Sequence, residues 1–160
     1  MTFEIYCDGS TRNNGRADAV GAWAYVVLNV EEIIREDCRI EVGTTNQRME
    51  LIAAIEALDY LFYNEICVPF DRVIVYTDSA YLHNCVTQKW YVNWQMNGWR
   101  NSKKEAVANK DLWEILVRYF DMPEVEFVKV KGHATNKWNN YVDALAQDAS
   151  ANIGKVRDVI

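Results

Sequence analysis

No stretch of this 160-residue chain stays apolar long enough to span a bilayer. The opening residues, Met1-Thr2-Phe3-Glu4-Ile5, lack the basic-then-apolar layout of a secretory signal. Cysteine is sparse: Cys7, Cys38, Cys67 and Cys85 are scattered without a C-x-x-C pair, which favours reduced thiols over disulfides or zinc. Together these absences lead to the expectation of a cytosolic protein with no membrane attachment, or one that stays wherever it is synthesised. Positive charge is also in short supply. The formal net charge is −6, which counts against a general nucleic-acid coating protein. Repeats and low-complexity segments are missing too. What is present is one domain's worth of chain, half of it apolar, with six Trp and nine Tyr, and such a composition folds around a core.

The charge is unevenly placed. Residues 88–110 carry Lys89, Arg100, Lys103, Lys104 and Lys110 against Glu105, a local net of +4, so the rest of the chain carries −10. A basic patch on an acidic body suits a protein that touches a polyanion at one place.

Phe3 to Asp8 alternates and reads as a strand ending at a carboxylate, with the polar run Gly9–Asp18 as a turn. Ala22–Leu28 and Ile33–Val42 read as two more strands of an antiparallel meander. Thr45 or Asn46 can cap a helix running to about Tyr63, in which Leu51, Ile55, Leu58 and Phe62 recur at helical spacing. Arg72–Thr77 is a compact strand followed at once by Asp78. Residues 79–120 read as several helices, broken near Asn97-Gly98. Val125–Val130 is a fifth strand, Lys131–Lys137 a polar loop, and 139–151 a last helix. Strands joined by helical crossovers run parallel, so the order β-β-β-α-β-α-α-α-β-α predicts an α/β fold with a mixed five-stranded sheet and helices on its faces.

Asp8 and Asp78 follow strands, Glu50 lies in the first turns of the first long helix, and Asp143 lies early in the last helix. In α/β sheets, sites gather at the carboxyl ends of parallel strands. Carboxylates brought together repel until a cation neutralises them, and all-oxygen ligand sets suit Mg²⁺ or Mn²⁺. An Asp after a strand is also an ordinary turn residue, and an acid at a helix start also serves the macrodipole, so spacing alone leaves both readings open.

The local sequences narrow the choice. Asp8-Gly9-Ser10, then Thr44-Thr45-Asn46-Gln47-Arg48-Met49-Glu50-Leu51, then Thr77-Asp78-Ser79, then Lys131-Gly132-His133-Ala134 with Asp143 ten residues past His133, follow one another in that order. The set resembles type 1 ribonuclease H, from about Phe3 to Ala149. The resemblance implies a sheet of strand order 3-2-1-4-5 and a catalytic domain over residues 1–151, with 152–160 as a tail. It implies two-metal hydrolysis of the RNA strand of an RNA–DNA hybrid, leaving 5′-phosphate and 3′-hydroxyl ends. It makes Asp8, Glu50, Asp78 and Asp143 the metal-binding tetrad for two Mg²⁺ ions, with Mn²⁺ as a substitute, and His133 a catalytic proton carrier or an aid to product release. A monomer that needs no protein partner is expected.

Trp90 and Trp94, four residues apart, share a helix face. They offer either a packed aromatic core or a stacking platform beside a nucleic-acid strand; for Trp113 the core reading is preferred. By resemblance, the segment around 88–110 is a basic handle. Trp90, Trp94 and Ser102 then line a DNA channel, Lys103 and Lys104 contact phosphates, and Thr45 and Asn109 hold a DNA phosphate. Asn14, Asn46 and Gln47 match positions that read the RNA strand, whose 2′-hydroxyl distinguishes it from DNA. Three departures stand out: Gln95-Met96-Asn97 replaces a basic cluster, Ala80 a longer side chain, and Asn140 a common Glu. No hybrid-binding domain precedes Phe3, which leads us to expect lower processivity than in relatives that have one. Junction resolvases and transposases share the fold but lack the handle and the Lys-Gly-His loop. A retroviral domain would normally sit within a longer polymerase, and a non-catalytic binding module would have no need of four converging acids.

Overall fold

The computed structural model describes residues 1–131 and 136–151. β1 (Thr2–Arg12), β2 (Val20–Asn29) and β3 (Glu32–Val42) form the antiparallel meander that their short connections require. α1 (Asn46–Tyr63) crosses to β4 (Arg72–Thr77), which pairs parallel with β1. α2 (Ala80–Thr87), α3 (Trp90–Met96) and α4 (Lys110–Phe120) then lead to β5 (Val125–Lys129), parallel to β4, and α5 (Lys137–Ala151) follows. The sheet order is β3-β2-β1-β4-β5, as expected.

Alternation along β1 sorts its side chains into two layers. Phe3, Ile5 and Cys7 join Leu51 and Leu58 of α1 and Trp113 and Leu116 of α4 in the main core. Tyr6 faces the other way, with Val26, Leu28 and Val142 of α5. Ala22 and Ala24 meet Ala146, and these small residues let α5 lie close to β2. Leu51, Leu58 and Leu61 are wholly buried, each contributing about 1.5–3 kcal/mol of hydrophobic stabilisation. The fully buried Trp113 fits the core reading of that residue.

Two glycines set how closely α1 approaches the sheet. A Cβ on Gly9 would stand 2.6 Å from Met49 Cβ and 2.7 Å from the Glu50 nitrogen. A Cβ on Gly21 would lie 2.5 Å from Thr44 Cγ2. Without side chains at these two positions, the start of α1 rests directly on β1 and β2, and Glu50 is brought up beside Asp8.

The strand limits differ from the sequence expectation at one important place. β1 does not end at Asp8; Gly9–Arg12 continue the strand, opposite Trp23–Val20. The parallel ladder with β4 stops at Cys7–Thr77 while the antiparallel ladder with β2 runs on. Pairing with a neighbour, rather than intrinsic propensity, makes the polar run extended. Asp8 therefore sits within a strand, at the point where one of its two neighbours has fallen away. α5 begins two residues early at Lys137, because Asn136 Oδ1 accepts from the backbones of Trp138 and Asn139 at 3.1 and 3.0 Å. Among the described residues no helix is long and apolar enough to cross a membrane.

Candidate active site

Asp8 on β1, Glu50 on α1 and Asp78 just past β4 meet at one end of the sheet. One carboxylate oxygen from each lies within 4.8 Å of the others. Rigid elements hold all three: Thr45 Oγ1 caps α1 by accepting from the Arg48 nitrogen at 3.2 Å, and Ser79 Oγ caps α2 by accepting from the Leu82 nitrogen at 3.0 Å. Asp8 Oδ1 accepts from the Gly9 nitrogen at 2.8 Å. Asp143 lines the same cavity of about 340 Å³ from α5, together with Asn46, Asn139, Asn140 and Gln147. It stands outside the tight triad, where Gln147 Nε2 donates to both its oxygens at 3.2 and 3.1 Å. Asp143 and Gln147 are four apart on one helix, a pairing that helical spacing makes legible in the sequence.

Burial and like charge raise the proton affinity of these acids. Burial, then Asp78, then a hydrogen bond with Asp143 push the Asp8 carboxyl far above the usual carboxylate range, while the Gly9 N–H opposes. Burial raises Glu50 as well; the Ser79 hydroxyl partly relieves it and Asp78 adds to it. A cluster of this kind has a net demand for positive charge, and a divalent cation meets it with the oxygen ligands it prefers. Cys7, adjacent to Asp8 but fully buried on the opposite layer, has its thiol pushed well above normal by burial and by the three acids, so it is no nucleophile.

Along the cavity rim, Asn14 Oδ1 accepts from the Asn46 nitrogen at 3.0 Å, which ties the β1–β2 loop to the start of α1. Asn46 and Gln47 stand exposed in the first turn. The structure thus brings Asn14, Asn46 and Gln47 to one edge beside the acids.

A second surface lies on the α2–α4 segment. Trp90 and Trp94 pack with ring centroids 6.1 Å apart, and Trp94 packs on Trp99 at 6.1 Å and Trp113 at 5.7 Å. Trp90, Trp94 and Ser102 border one groove of about 530 Å³ with Asn93, Asn97 and Arg100. The two indoles are half-buried and pack against the main core, each leaving part of its surface exposed. Asn101 Oδ1 accepts from the nitrogens of Lys103 and Glu105 at 2.9 and 3.0 Å, and Arg100 Nη1 donates to the Lys104 carbonyl at 2.9 Å. These bonds shape the tip on which Lys103 and Lys104 are exposed. Thr45 and Asn109 come together through Arg48, whose Nη1 donates to Asn109 Oδ1 at 3.2 Å.

The sequence expectation for His133 and for the tail 152–160 lies outside the described residues. The chain does leave β5 next to the site, since the Val130 nitrogen donates to the Thr77 carbonyl at 2.9 Å. Sequence reasoning gave no part to Gly9, Arg48, Tyr81, Asp111 or Gln147. For Gly9 and Arg48 the signal was present, since both lie inside the quoted motifs, but their partners are distant in sequence.

Known proteins resemble this chain in sequence and in fold. The RNase H family model matches residues 1–151. Ribonuclease H of Clostridium botulinum is 42% identical over 145 residues, covering 91% of this chain and 93% of its own. Ribonuclease H of Syntrophomonas wolfei is 43% identical over 150 residues, covering 94% and 97%. Among solved structures, LC9-RNase H1, described as a type 1 RNase H with the type 2 active-site motif, superposes with a TM-score of 0.77 at 29% identity, covering 94% of this chain and 72% of that one. With the family model spanning nearly the whole chain and both sequence relatives matching it along almost their full lengths, the chain belongs to the ribonuclease H family.

Proposed function

We propose that the chain is an endonuclease that hydrolyses the RNA strand of an RNA–DNA hybrid and leaves 5′-phosphate and 3′-hydroxyl ends. The observation that carries this reading is the approach of Asp8, Glu50 and Asp78 to within 4.8 Å of one another, in a member of the ribonuclease H family.

The donor set fits a hard divalent cation: it is all carboxylate oxygen, and its acids are raised by mutual proximity and burial. Asp8, Glu50, Asp78 and Asp143 would hold two Mg²⁺ ions, with Mn²⁺ able to substitute. When bound there, such ions would supply water activation and charge stabilisation at the leaving oxygen. The chain's own residues do the rest. Gly9 and Ser79 fix the orientation of Asp8 and Glu50, and Gln147 holds Asp143 in the same cavity, within hydrogen-bond reach of Asp8. His133 accepts or delivers a proton, or helps product leave, without binding metal.

Hybrid binding is divided between the two surfaces. Asn14, Asn46 and Gln47 face the RNA strand and its 2′-hydroxyls. Trp90, Trp94 and Ser102 receive the DNA strand, Thr45 and Asn109 hold one of its phosphates, and Lys103 and Lys104 on the handle contact phosphates without sequence preference. Residues 1–151 constitute the catalytic domain with the handle at about 88–110, and all four acids line one cavity of a single chain, which suits action as a monomer; the cytoplasm is the proposed location. The test is cleavage of an end-labelled hybrid with Mg²⁺, with Mn²⁺ and with EDTA. Metal-dependent cuts confined to the RNA strand support the reading; binding without cleavage would make the chain a hybrid-binding module instead.

A further inference from the structure

Arg48 lies within the first turn of α1, inside the motif that carries Thr45 and Glu50, yet it faces away from the acids. Its guanidinium reaches the start of α4, where Nη1 donates to Asp111 Oδ1 at 3.1 Å and Nη2 to Asp111 Oδ2 at 2.8 Å. Two parallel N–H···O bonds to one carboxylate are the fork that arginine also offers to phosphate. Asp111 thus takes the place that a phosphate would take on this cation. The same Nη1 donates to Asn109 Oδ1 at 3.2 Å.

Asn109 is held from its other end too. It precedes α4 in the left-handed region, at φ +62°, which asparagine tolerates better than most residues, and its side chain makes no capping bond. Instead Nδ2 donates to Tyr81 Oη at 3.2 Å, and that hydroxyl also accepts from Trp113 Nε1 at 3.2 Å. Arg48 on the oxygen and Tyr81 on the nitrogen fix which way the amide points. One Nδ2 hydrogen remains for a ligand. Thr45 Oγ1 accepts from the Arg48 nitrogen, so its own hydrogen is also available to donate. The Arg48 guanidinium holds the Asp111 carboxyl below the usual range, so the pair stays fully ionised and mutually neutral near pH 7.

We propose that Arg48 is a positioning residue of the DNA-strand phosphate subsite and not a phosphate ligand, because Asp111 occupies its guanidinium as a built-in stand-in for phosphate while Arg48 aims the Asn109 amide. The inference rests on the hybrid-binding reading above. A cation already neutralised within the protein releases no counterion from nucleic acid, so Arg48 adds nothing to the salt dependence of binding. Asp111 thereby sets the charge of the subsite. Cancelling its charge would free Arg48 to take a phosphate itself.

The experiment is steady-state cleavage of a labelled hybrid by the full chain over a range of KCl concentrations, with Tm measured in parallel. Exposed ion pairs add little to stability, so the variants fold. Asp111→Asn is expected to lower KM and steepen the slope of log KM against log salt by about 0.9, the signature of one more phosphate contact. The double variant Arg48→Ala/Asp111→Ala, which conserves net charge, is expected to raise KM about fivefold at every salt concentration, with slope and kcat unchanged. Tyr81→Phe, which removes the other hold on Asn109, is expected to behave like the double variant. A double variant whose slope flattens by about 0.9 would make Arg48 a direct phosphate ligand and overturn the proposal. An Asp111→Asn variant with wild-type KM and slope, or variants that move Tm alone, would overturn it equally. Failure of the wild-type chain to cleave the hybrid would remove the underlying reading, and that outcome is seen before any variant is compared.

Discussion

Replacing Asp8 by Asn removes one ionisable group from a cluster in which one carboxylate oxygen of each acid lies within 4.8 Å of the others. The amide oxygen of the variant can still accept the Gly9 N–H now bonded at 2.8 Å, so geometry is preserved while charge is not. At an effective dielectric of about 20, two unit charges 4.8 Å apart repel by about 3.5 kcal/mol. Part of that cost is already avoided in the wild type, because burial and Asp78 raise the Asp8 carboxyl and favour its protonated form. A gain of about 2 kcal/mol in the metal-free variant at neutral pH is therefore expected, or about 4–8 °C in Tm for a domain of this size. The sign follows from the direction of the shift. The folded state holds the Asp8 proton more tightly than the unfolded chain does, so this carboxyl is least costly below its unfolded pKa, and stability is lost as pH rises through the raised folded value. The advantage of the variant should open from the ordinary aspartate value of 3.8 upward, toward about 9, and close in more acidic solution. Mg²⁺ should stabilise the wild type more than the variant, because it binds the native acids. Thermal melts over a pH series, in EDTA and in Mg²⁺, measure all of this, and cleavage by the variant should be nearly abolished. A variant that melts at or below the wild type at neutral pH in EDTA, or whose advantage is the same at pH 4 and pH 8, would refute the electrostatic reasoning. A variant that cleaves at the wild-type rate would remove Asp8 from the site.

Replacing Lys103 and Lys104 together by Ala should raise KM and flatten its salt dependence with kcat nearly unchanged, since both side chains are exposed on the handle tip; a fall in kcat at constant KM would show that the handle is not a binding element. Cleavage should be confined to the RNA strand of a hybrid, with duplex DNA and single-stranded RNA resistant, and comparable cutting of duplex DNA in the same gel assay would remove the roles given to Asn14, Asn46 and Gln47. His133→Ala should lower single-turnover kcat about 10²-fold and leave the Mg²⁺ titration unchanged; a lost Mg²⁺ response would make His133 a ligand, and an unchanged kcat a bystander. Trp113→Ala should cost about 3–5 kcal/mol in denaturant unfolding, because the indole is wholly buried and packs on Tyr81, Trp94 and Phe120; a loss under 1 kcal/mol would mean that the aromatic cluster is not part of the core.

What the sequence determined by itself was local. Apolar spacing at Leu51, Ile55 and Leu58 with a cap at Thr45 or Asn46 is enough to specify α1, and the structure chooses Thr45. The compact run Arg72–Thr77 specified β4, and the order of strands and crossovers specified a mixed five-stranded sheet, while its strand order 3-2-1-4-5 followed from the family resemblance. The acids were legible because they fall within recognisable motifs. Tertiary structure decided what depends on a partner far along the chain. Asp8 lies inside β1 rather than at its end because β2 continues to pair after β4 has stopped. Gly9 and Gly21 matter because α1 presses on them, and nothing in the neighbouring sequence announces that contact. Trp90, Trp94 and Trp113 share one residue type, yet only packing separates a fully buried indole from two half-buried ones. Arg48 finds Asp111 across 63 residues of chain. Periodicity records which face of an element is apolar, but it carries no information about which distant element will cover that face, and the division between core, platform and phosphate subsite is settled only by that choice of partner.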